Sequence, residues 1–145
     1  MIALIQRVSE ASVTVDGEIT GAIAQGLLVL LAVQPEDDES TVLRLAERVL
    51  TYRVFPDEND RMNRSLIDTG FELLVVPQFT LAADTRKGTR ASFTRAAPPE
   101  AGKHYFDRFV AECGKKLSTV ETGVFGANMQ VKLVNDGPVT FWLEA

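Results

Sequence analysis

The residues of this chain that are best suited to chemistry lie in two short polar segments, each beside a strongly apolar run. The first is Gln78-Phe79-Thr80, which follows the run Phe71–Val76. The second is Asn135–Thr140, which contains Gly137-Pro138. Glycine lacks a Cβ and proline lacks an N–H, so the main chain is unobstructed there. A hydroxyl, an amide and bare carbonyl groups predict chemistry that depends on positioning a substrate.

The side chains that usually activate a nucleophile are scarce in this sequence. The single histidine, His104, falls on the side of a predicted helix opposite Phe106 and Phe109, so we expect a surface residue. The single cysteine, Cys113, shares the apolar face and is predicted to be a small buried residue. These two residues provide no metal site, and no nucleophile elbow or glycine-rich phosphate loop is present. A hydrolase built from this chain would lack the usual base.

Two amphipathic helices are predicted. The first follows Pro35 and the acidic residues 36–39, which favour the positive end of a helix dipole. Its apolar residues recur at helical spacing, at Val42, Leu45, Ala46, Val49 and Leu50. The second opens at Pro98-Pro99 and carries Phe106, Phe109, Val110 and Cys113. Between the helices, the acidic residues of 56–60 are interpreted as a solvated turn and not as a carboxylate pair.

The remaining apolar segments predict strands. Asp16-Gly17 is typical of a tight hairpin turn. The predicted strands are 1–8, 12–16, 18–20, 27–33, 71–76, 129–133 and 139–143. Strands in hairpin order with two helices indicate an α+β fold, with a curved and largely antiparallel sheet. The 145 residues are expected to form a single domain, 1–145.

Composition narrows the classes of partner and compartment. The formal net charge of −5 argues against a broad surface that grips nucleic acid. One segment is locally basic, with Arg86, Lys87, Arg90 and Arg95, and is either a solvated loop or a rim that contacts phosphate. No apolar run reaches the roughly 20 residues that span a bilayer. A lone cysteine fits a reducing compartment, so we expect a cytoplasmic protein.

At the two polar segments the sequence resembles the D-aminoacyl-tRNA deacylase family. The resemblance also covers the opening residues 1–8, and extends through Gln78–Thr85 to Asn135–Phe141. It implies a barrel-like sheet with flanking helices, a homodimer with composite sites at the subunit interface, and no metal or organic cofactor. The implied reaction is hydrolysis of D-aminoacyl-tRNA, with glycyl-tRNA as a second substrate. The 2′-hydroxyl of the terminal adenosine is implied to assist the attack.

The resemblance also implies roles for individual residues. Thr80, Gln78 and the backbone N–H groups of Phe79 and Thr80 would orient and polarise the ester carbonyl. Gly137-Pro138 would be a cis dipeptide that reaches into the partner's site and excludes L-aminoacyl groups. Arg7 would fix the Gly-Pro carbonyls and Met129 would form a pocket wall. Taken without the resemblance, Thr80 is an ordinary strand residue, Phe79 and Met129 are core residues, and Arg7 is equally well a rim residue.

Two departures from the family pattern and three alternatives remain. Pro77 replaces a usual serine and Ala91 a common proline. A sibling family that removes L-alanine from tRNA carries a trans Gly-Pro, and Arg7 favours the D-specific branch. A general hydrolase of small esters that ignores tRNA is a second enzyme hypothesis. A nucleic-acid-binding module that uses the basic loop is a third, non-enzymatic one.

Overall fold

The long first strand organises the fold. In the computed structural model, which describes residues 1–145, β1 (Ile2–Val15) pairs along one edge with β3 (Gly26–Ala32) and then with β2 (Glu18–Ile23). Its other edge pairs along most of its length with β8 (Gln130–Glu144). All three pairings are antiparallel. A single strand therefore joins the N-terminal, central and C-terminal parts of the sheet.

Two further strands extend the sheet in parallel. β6 (Glu72–Pro77) pairs with β3, and β7 (Val120–Thr122) pairs with β6. The sheet curves until β2 approaches β7, where a Cβ placed on Gly21 would lie 2.6 Å from the carbonyl oxygen of Thr122. The α+β class and the barrel-like, largely antiparallel sheet are confirmed, and the two parallel pairings were not predicted.

Helices cover one face of this sheet. The predicted helices are α1 (Glu39–Thr51) and α3 (Pro99–Gly114), with a one-turn α2 (Leu66–Thr69) between them. A small hairpin of β4 (Phe55–Pro56) and β5 (Met62–Arg64) contains the predicted acidic turn. α1 begins later than Pro35 suggests, because the Asp38 side chain accepts from the Thr41 N–H at 2.9 Å and caps the helix.

The core has two parts because both faces of β3 and β6 are buried. Leu27, Val29 and Leu73 face the helices, where they pack with the apolar stripes of α1 and α3. Leu28 and Leu74 face the inside of the barrel. Burial on both faces explains why these strands read as unbroken apolar runs. His104 is exposed and Cys113 is buried on α3, so both of those predictions are confirmed.

Several boundaries differ from the prediction. The predicted strands 1–8 and 12–16 form one strand, and 129–133 and 139–143 also form one strand. Ser9 and Glu10 are exposed, but hydrogen bonding to β8 continues past them, so a polar pair does not end the strand. The turn at Asp16-Gly17 is confirmed, with φ of 49° and 81°. None of the helices combines the length and the apolarity required to cross a membrane.

Candidate active site

The segment that follows β6 is held in place by the end of the sheet. The Gln78 N–H donates to the Leu31 carbonyl at 2.8 Å and so continues the pairing of β6 with β3. On the other side, Gly123 donates to Val75, and Pro77 has no N–H to carry the ladder further. The chain therefore leaves the sheet at Gln78 and forms a 3₁₀ helix, Phe79–Ala82. This gives Pro77 a structural use that needs no hydroxyl.

The start of this 3₁₀ helix presents unused donors. The N–H groups of Phe79 and Thr80 have no acceptor in the chain, as expected for the first residues of a helical turn. The Gln78 side-chain amide donates to the Thr80 hydroxyl oxygen. The Thr80 oxygen therefore accepts a hydrogen bond from an amide, which cannot act as a base. The hydroxyl proton of Thr80 remains free to be donated to a ligand. The three residues can bind a carbonyl oxygen, but they do not activate Thr80 as a nucleophile.

Two expectations for this segment are wrong. Thr80 lies in a 3₁₀ helix and not in a strand, because the strand ends at Pro77. Phe79, taken without the resemblance, was expected in the core, but 55% of it is exposed. Its ring packs at 5.2 Å, centroid to centroid, against that of Phe93, which is itself 48% exposed. Phe93 was not predicted as a site residue, and only its position in the basic segment could have indicated it.

A mainly apolar pocket of about 710 Å³ opens beside Gln78 and Phe79. Met129 lines it, together with Phe93, Phe106 and Phe125. The Val124 N–H lies 3.4 Å from the Met129 sulfur, and a Cβ added to Gly123 would lie 2.7 Å from that sulfur. A glycine at position 123 therefore leaves room for Met129 against the sheet. The volume and apolar lining are typical of a site for a small organic group.

The second segment bulges out of the β1–β8 ladder. Thr140 pairs with Gln6 and Asn135 with Val8, so the residues 136–139 oppose the single residue Arg7. The Asn135 side chain closes this bulge, because it accepts from the Val139 N–H at 2.8 Å and donates to the Val139 carbonyl at 3.3 Å. Asn135 was not predicted as a site residue, although an asparagine before a turn is a known signal of this closure.

Gly137 and Pro138 are exposed, and the peptide bond between them is cis. The backbone of Gly137 has a φ of +150°, and a Cβ there would lie 2.7 Å from the Val139 nitrogen. Arg7 lies behind the bulge, but its Nε donates to the Asp136 carbonyl at 2.8 Å and its Nη1 to the Val54 carbonyl at 2.7 Å. Arg7 therefore holds the residue before the dipeptide and bonds neither the Gly137 nor the Pro138 carbonyl.

The two segments are far apart within one chain. Gly137 lies on β8 beside Arg7, which is level with Leu27 of β3, whereas Pro77 is level with Leu31. Three strand spacings and four residues along the strands separate them, which is roughly 20 Å across the sheet surface. Measured along the sheet, this separation is several times the size of an ester group.

The basic segment forms a loop between the 3₁₀ helix and α3, closed by backbone hydrogen bonds between Asp84 and Ser92. The side chains of Arg86, Lys87, Arg90 and Arg95 are all exposed. Arg86 forms two hydrogen bonds with the Asp84 carboxylate, at 2.9 and 2.6 Å. These bonds hold the pKa of Asp84 well below its usual value. The charge of Arg86 is therefore compensated, which the basic composition of the segment did not indicate.

Other titratable groups lie away from both segments. Burial raises the pKa of the Cys113 thiol to about 12. In the acidic turn, Asp57 accepts from the N–H groups of Asn59 and Arg61 at 2.8 and 3.0 Å, as predicted for a turn residue. No group of three or more His, Cys, Asp or Glu side chains is placed to hold a metal ion.

Known proteins of similar sequence and fold place this geometry in a family. The D-aminoacyl-tRNA deacylase of Thioalkalivibrio sulfidiphilus is 62% identical over 144 residues, which cover 99% of this chain and 97% of that protein. The D-aminoacyl-tRNA deacylase of Vibrio cholerae serotype O1 is 59% identical over the whole of both chains.

Two solved structures have the same fold. One, described as a c-Myc DNA Unwinding Element Binding Protein, has a TM-score of 0.95 at 39% identity and covers 100% of this chain and 99% of its own. A second, described as a probable eukaryotic D-amino acid tRNA deacylase, has a TM-score of 0.88 at 16% identity and covers 99% and 98%, and it supports the fold alone. The family model described as D-Tyr-tRNA(Tyr) deacylase matches residues 4–144. The chain therefore belongs to the D-Tyr-tRNA(Tyr) deacylase family, which confirms the resemblance of its two polar segments.

Proposed function

We propose that this protein hydrolyses the ester bond of D-aminoacyl-tRNA in the cytoplasm, releasing the free D-amino acid and tRNA. The observation that carries the proposal is the pair of unused N–H groups at Phe79 and Thr80, beside the bonded pair Gln78 and Thr80. They lie next to a pocket that would receive the terminal nucleoside. The relatives of 62% and 59% identity carry the name of this activity.

The reaction needs no protein base in this arrangement. A water molecule adds to the ester carbonyl carbon, the bond to the ribose oxygen breaks, and that oxygen takes a proton as it leaves. The N–H groups of Phe79 and Thr80 would stabilise the negative charge that develops on the carbonyl oxygen. Thr80 would position the reacting groups through its free hydroxyl proton. The 2′-hydroxyl of the terminal adenosine is close enough to the ester to assist the attack.

We propose further that Gly137-Pro138 of one copy completes the site of a second copy. The separation of roughly 20 Å within one chain supports this, as does the exposure of both residues. Their carbonyls would accept from the substrate ammonium and leave space only for hydrogen on one side of the Cα. An L side chain would collide there, whereas a D side chain would project away. Glycine has no side chain to reject, so glycyl-tRNA would also be hydrolysed.

A homodimer is part of this proposal. β8 pairs with β1 only, so its other edge carries unpaired backbone groups along much of a 15-residue strand. Val134 and Trp142 on this strand are 46% and 49% exposed. Native proteins rarely leave a long apolar edge strand uncovered. A second copy of the chain packed near this strand would cover it and bring Gly137-Pro138 to the neighbouring site.

Complementation between two defective variants tests the composite site. One variant carries Gln78→Ala with Thr80→Val, and the other carries Gly137→Ala. In a mixed dimer one site receives both defects and the other receives neither, so random pairing on co-expression should restore about one quarter of wild-type activity. Each variant expressed alone is the control. If the mixture is no more active than either variant alone, the cross-subunit site is wrong.

Substrate comparison tests the reaction itself. Wild-type protein should deacylate D-aminoacyl-tRNA and glycyl-tRNA and leave L-aminoacyl-tRNA intact. Equal hydrolysis of D and L substrates would contradict chiral selection by the main chain. Equal efficiency on a free D-amino acid ester would instead favour the small-ester hydrolase.

A second candidate function is DNA binding, which the description of the 39% identical relative as a DNA unwinding element binding protein favours. The exposed cations of the loop would contact the phosphates. The net charge of −5 makes a broad contact surface unfavourable. Binding of a DNA duplex that weakens steeply with salt, in a protein without deacylase activity, would support this candidate over the first.

A further inference from the structure

The loop between the 3₁₀ helix and α3 contains a polar cleft that the proposed reaction does not use. It has a volume of about 560 Å³ and is lined by Asp84, Arg86, Lys87, Arg90 and Ser92, with no apolar side chain. Backbone hydrogen bonds of 2.8 and 3.0 Å between Asp84 and Ser92 close its base. The turn of the loop is made at Gly88, whose φ of +67° suits glycine.

The three cations that line this cleft differ in whether an acidic group already binds them. Arg86 is bound by both carboxylate oxygens of Asp84, and Asp84 also accepts from the Arg86 backbone N–H at 3.0 Å. Lys87 and Arg90 are exposed, and neither forms a hydrogen bond or an ion pair in the chain. The cleft therefore presents two uncompensated cations on a loop that is closed by the Asp84–Ser92 backbone bonds and shaped locally by the Asp84–Arg86 pair.

Consecutive residues of the chain line the cleft and the pocket beside Gln78–Thr80. Ser92 lines the cleft and the next residue, Phe93, lines the pocket and packs on Phe79. A nucleotide chain whose terminal nucleoside occupies the pocket would pass its next phosphates over Phe93 toward Lys87 and Arg90. The guanidinium of Arg90 can donate two hydrogen bonds to one phosphate, and Lys87 adds a mobile point charge.

On this basis, and resting on the proposed function, we infer that the cleft binds a backbone phosphate of the single-stranded 3′ end of the tRNA. Lys87 and Arg90 are the contacting cations. Asp84 and Arg86 are positioning residues that keep the loop in the shape that presents them. This divides the four basic residues of the segment, and Arg95, which does not line the cleft, has no part in the contact.

Two substrates separate this inference from the proposed function. D-aminoacyl-tRNA carries the phosphates, whereas D-aminoacyl-adenosine carries the same ester without them. The variants are Lys87→Gln, Arg90→Gln and the double variant, and Lys116→Gln is the control, because Lys116 is exposed, forms no ion pair and lies beyond α3. Thermal unfolding of each variant verifies that it is folded.

We expect KM for D-aminoacyl-tRNA to rise about tenfold for each substitution, with kcat unchanged, because each removes a charge-assisted contact made before and during the reaction. The slope of log(kcat/KM) against log salt should flatten by about 0.7 for a lost phosphate contact. Hydrolysis of D-aminoacyl-adenosine should not change. Unchanged kinetics on both substrates, or an equal loss on both, would overturn the inference. Failure of the wild type on both would overturn the proposed function instead.

For the positioning pair Asp84 and Arg86, the inference and simple electrostatics predict opposite changes in KM. Asp84→Asn removes a negative charge from the cleft, so charge alone predicts tighter binding of tRNA. We expect KM for D-aminoacyl-tRNA to rise severalfold, because the loop loses the bonds that shape it, while kcat stays constant. A fall in KM would overturn the positioning role.

Discussion

The two polar segments are alike in sequence character and different in what surrounds them. Gln78–Thr80 follows a buried strand and lies beside a pocket, with its free N–H groups directed by the end of the sheet. The residues 136–139 bulge from a long strand, do not line that pocket, and are clamped from behind by Arg7 and Asn135. One segment offers donors beside a pocket, and the other offers exposed carbonyls. Each resembles one half of a site.

Among the substitutions that test whether the two segments form one site, Gly137→Ala should reduce activity most. The added Cβ would lie 2.7 Å from the Val139 nitrogen at a φ of +150°, so the bulge must move. We expect a loss of about 100-fold or more in kcat/KM for D-aminoacyl-tRNA, since a displacement of about 1 Å is enough for that. Gly17→Ala is the control, because Gly17 also has a positive φ but open space around it. A fully active Gly137→Ala variant would show that the bulge at 136–139 is not part of the active site.

Arg7→Lys tests the clamp behind the second half. Lysine cannot donate to the Asp136 and Val54 carbonyls at once, so one acceptor loses a charged donor worth about 1.5–3 kcal/mol. We expect kcat/KM to fall about 10- to 100-fold and the unfolding temperature to drop by several degrees. Arg53→Lys, at an exposed position without an ion pair, should behave as wild type. A loss of stability without a loss of activity would show that the Arg7 hydrogen bonds stabilise the fold but do not position the site.

Thr80→Val sharpens the role of the first half. The substitution keeps the shape but removes the hydroxyl, which accepts from Gln78 and would donate to the substrate. Because both are neutral hydrogen bonds, kcat should fall only about tenfold, and Thr80→Ser should stay near wild type. Single-turnover kinetics on D-aminoacyl-tRNA measure this step. A loss of several orders of magnitude, or an acyl-enzyme burst, would make Thr80 the nucleophile after all.

The smallest effect is expected away from both halves, at Cys113. Burial raises the pKa of its thiol to about 12, so the thiol stays protonated and inaccessible at neutral and mildly alkaline pH. We expect no alkylation of the native protein by iodoacetamide at pH 8 over an hour, and complete alkylation in denaturant. Mass spectrometry measures both. Labelling of the native protein together with loss of activity would place a reactive thiol near a site.

The helices and turn signals were predictable because they depend on local spacing. The stripe from Val42 to Leu50 and the turn at Asp16-Gly17 follow from sequence alone. The parallel pairing of β3 with β6 was not predictable, because it depends on which strand a buried apolar run meets across α1. The same holds for the continuity of β1 past Ser9 and Glu10, which pairing with β8 imposes.

The two segments of the proposed site were identified from their motifs, but their geometry was not predictable from the sequence. The motifs identified Gln78, Thr80 and Gly137-Pro138, but the carbonyls that Arg7 bonds depend on how many residues the bulge contains. The exposure of Phe79 depends on the turn by which the chain leaves the sheet at Gln78, one residue before Phe79. The compensation of Arg86 by Asp84 depends on the closure of the loop. Each of these is a contact between residues whose proximity the chain order does not encode.

The position of β1 has a consequence for dynamics. Both halves are anchored to it, one through β8 and the other through β3 and β6. Because the strand is hydrogen-bonded along both edges, local opening of either half without global unfolding is disfavoured. Amide hydrogen exchange should then be slowest in the middle of this strand. A catalyst anchored in this way keeps its donors and acceptors preorganised between turnovers, at little cost in reordering for each new substrate.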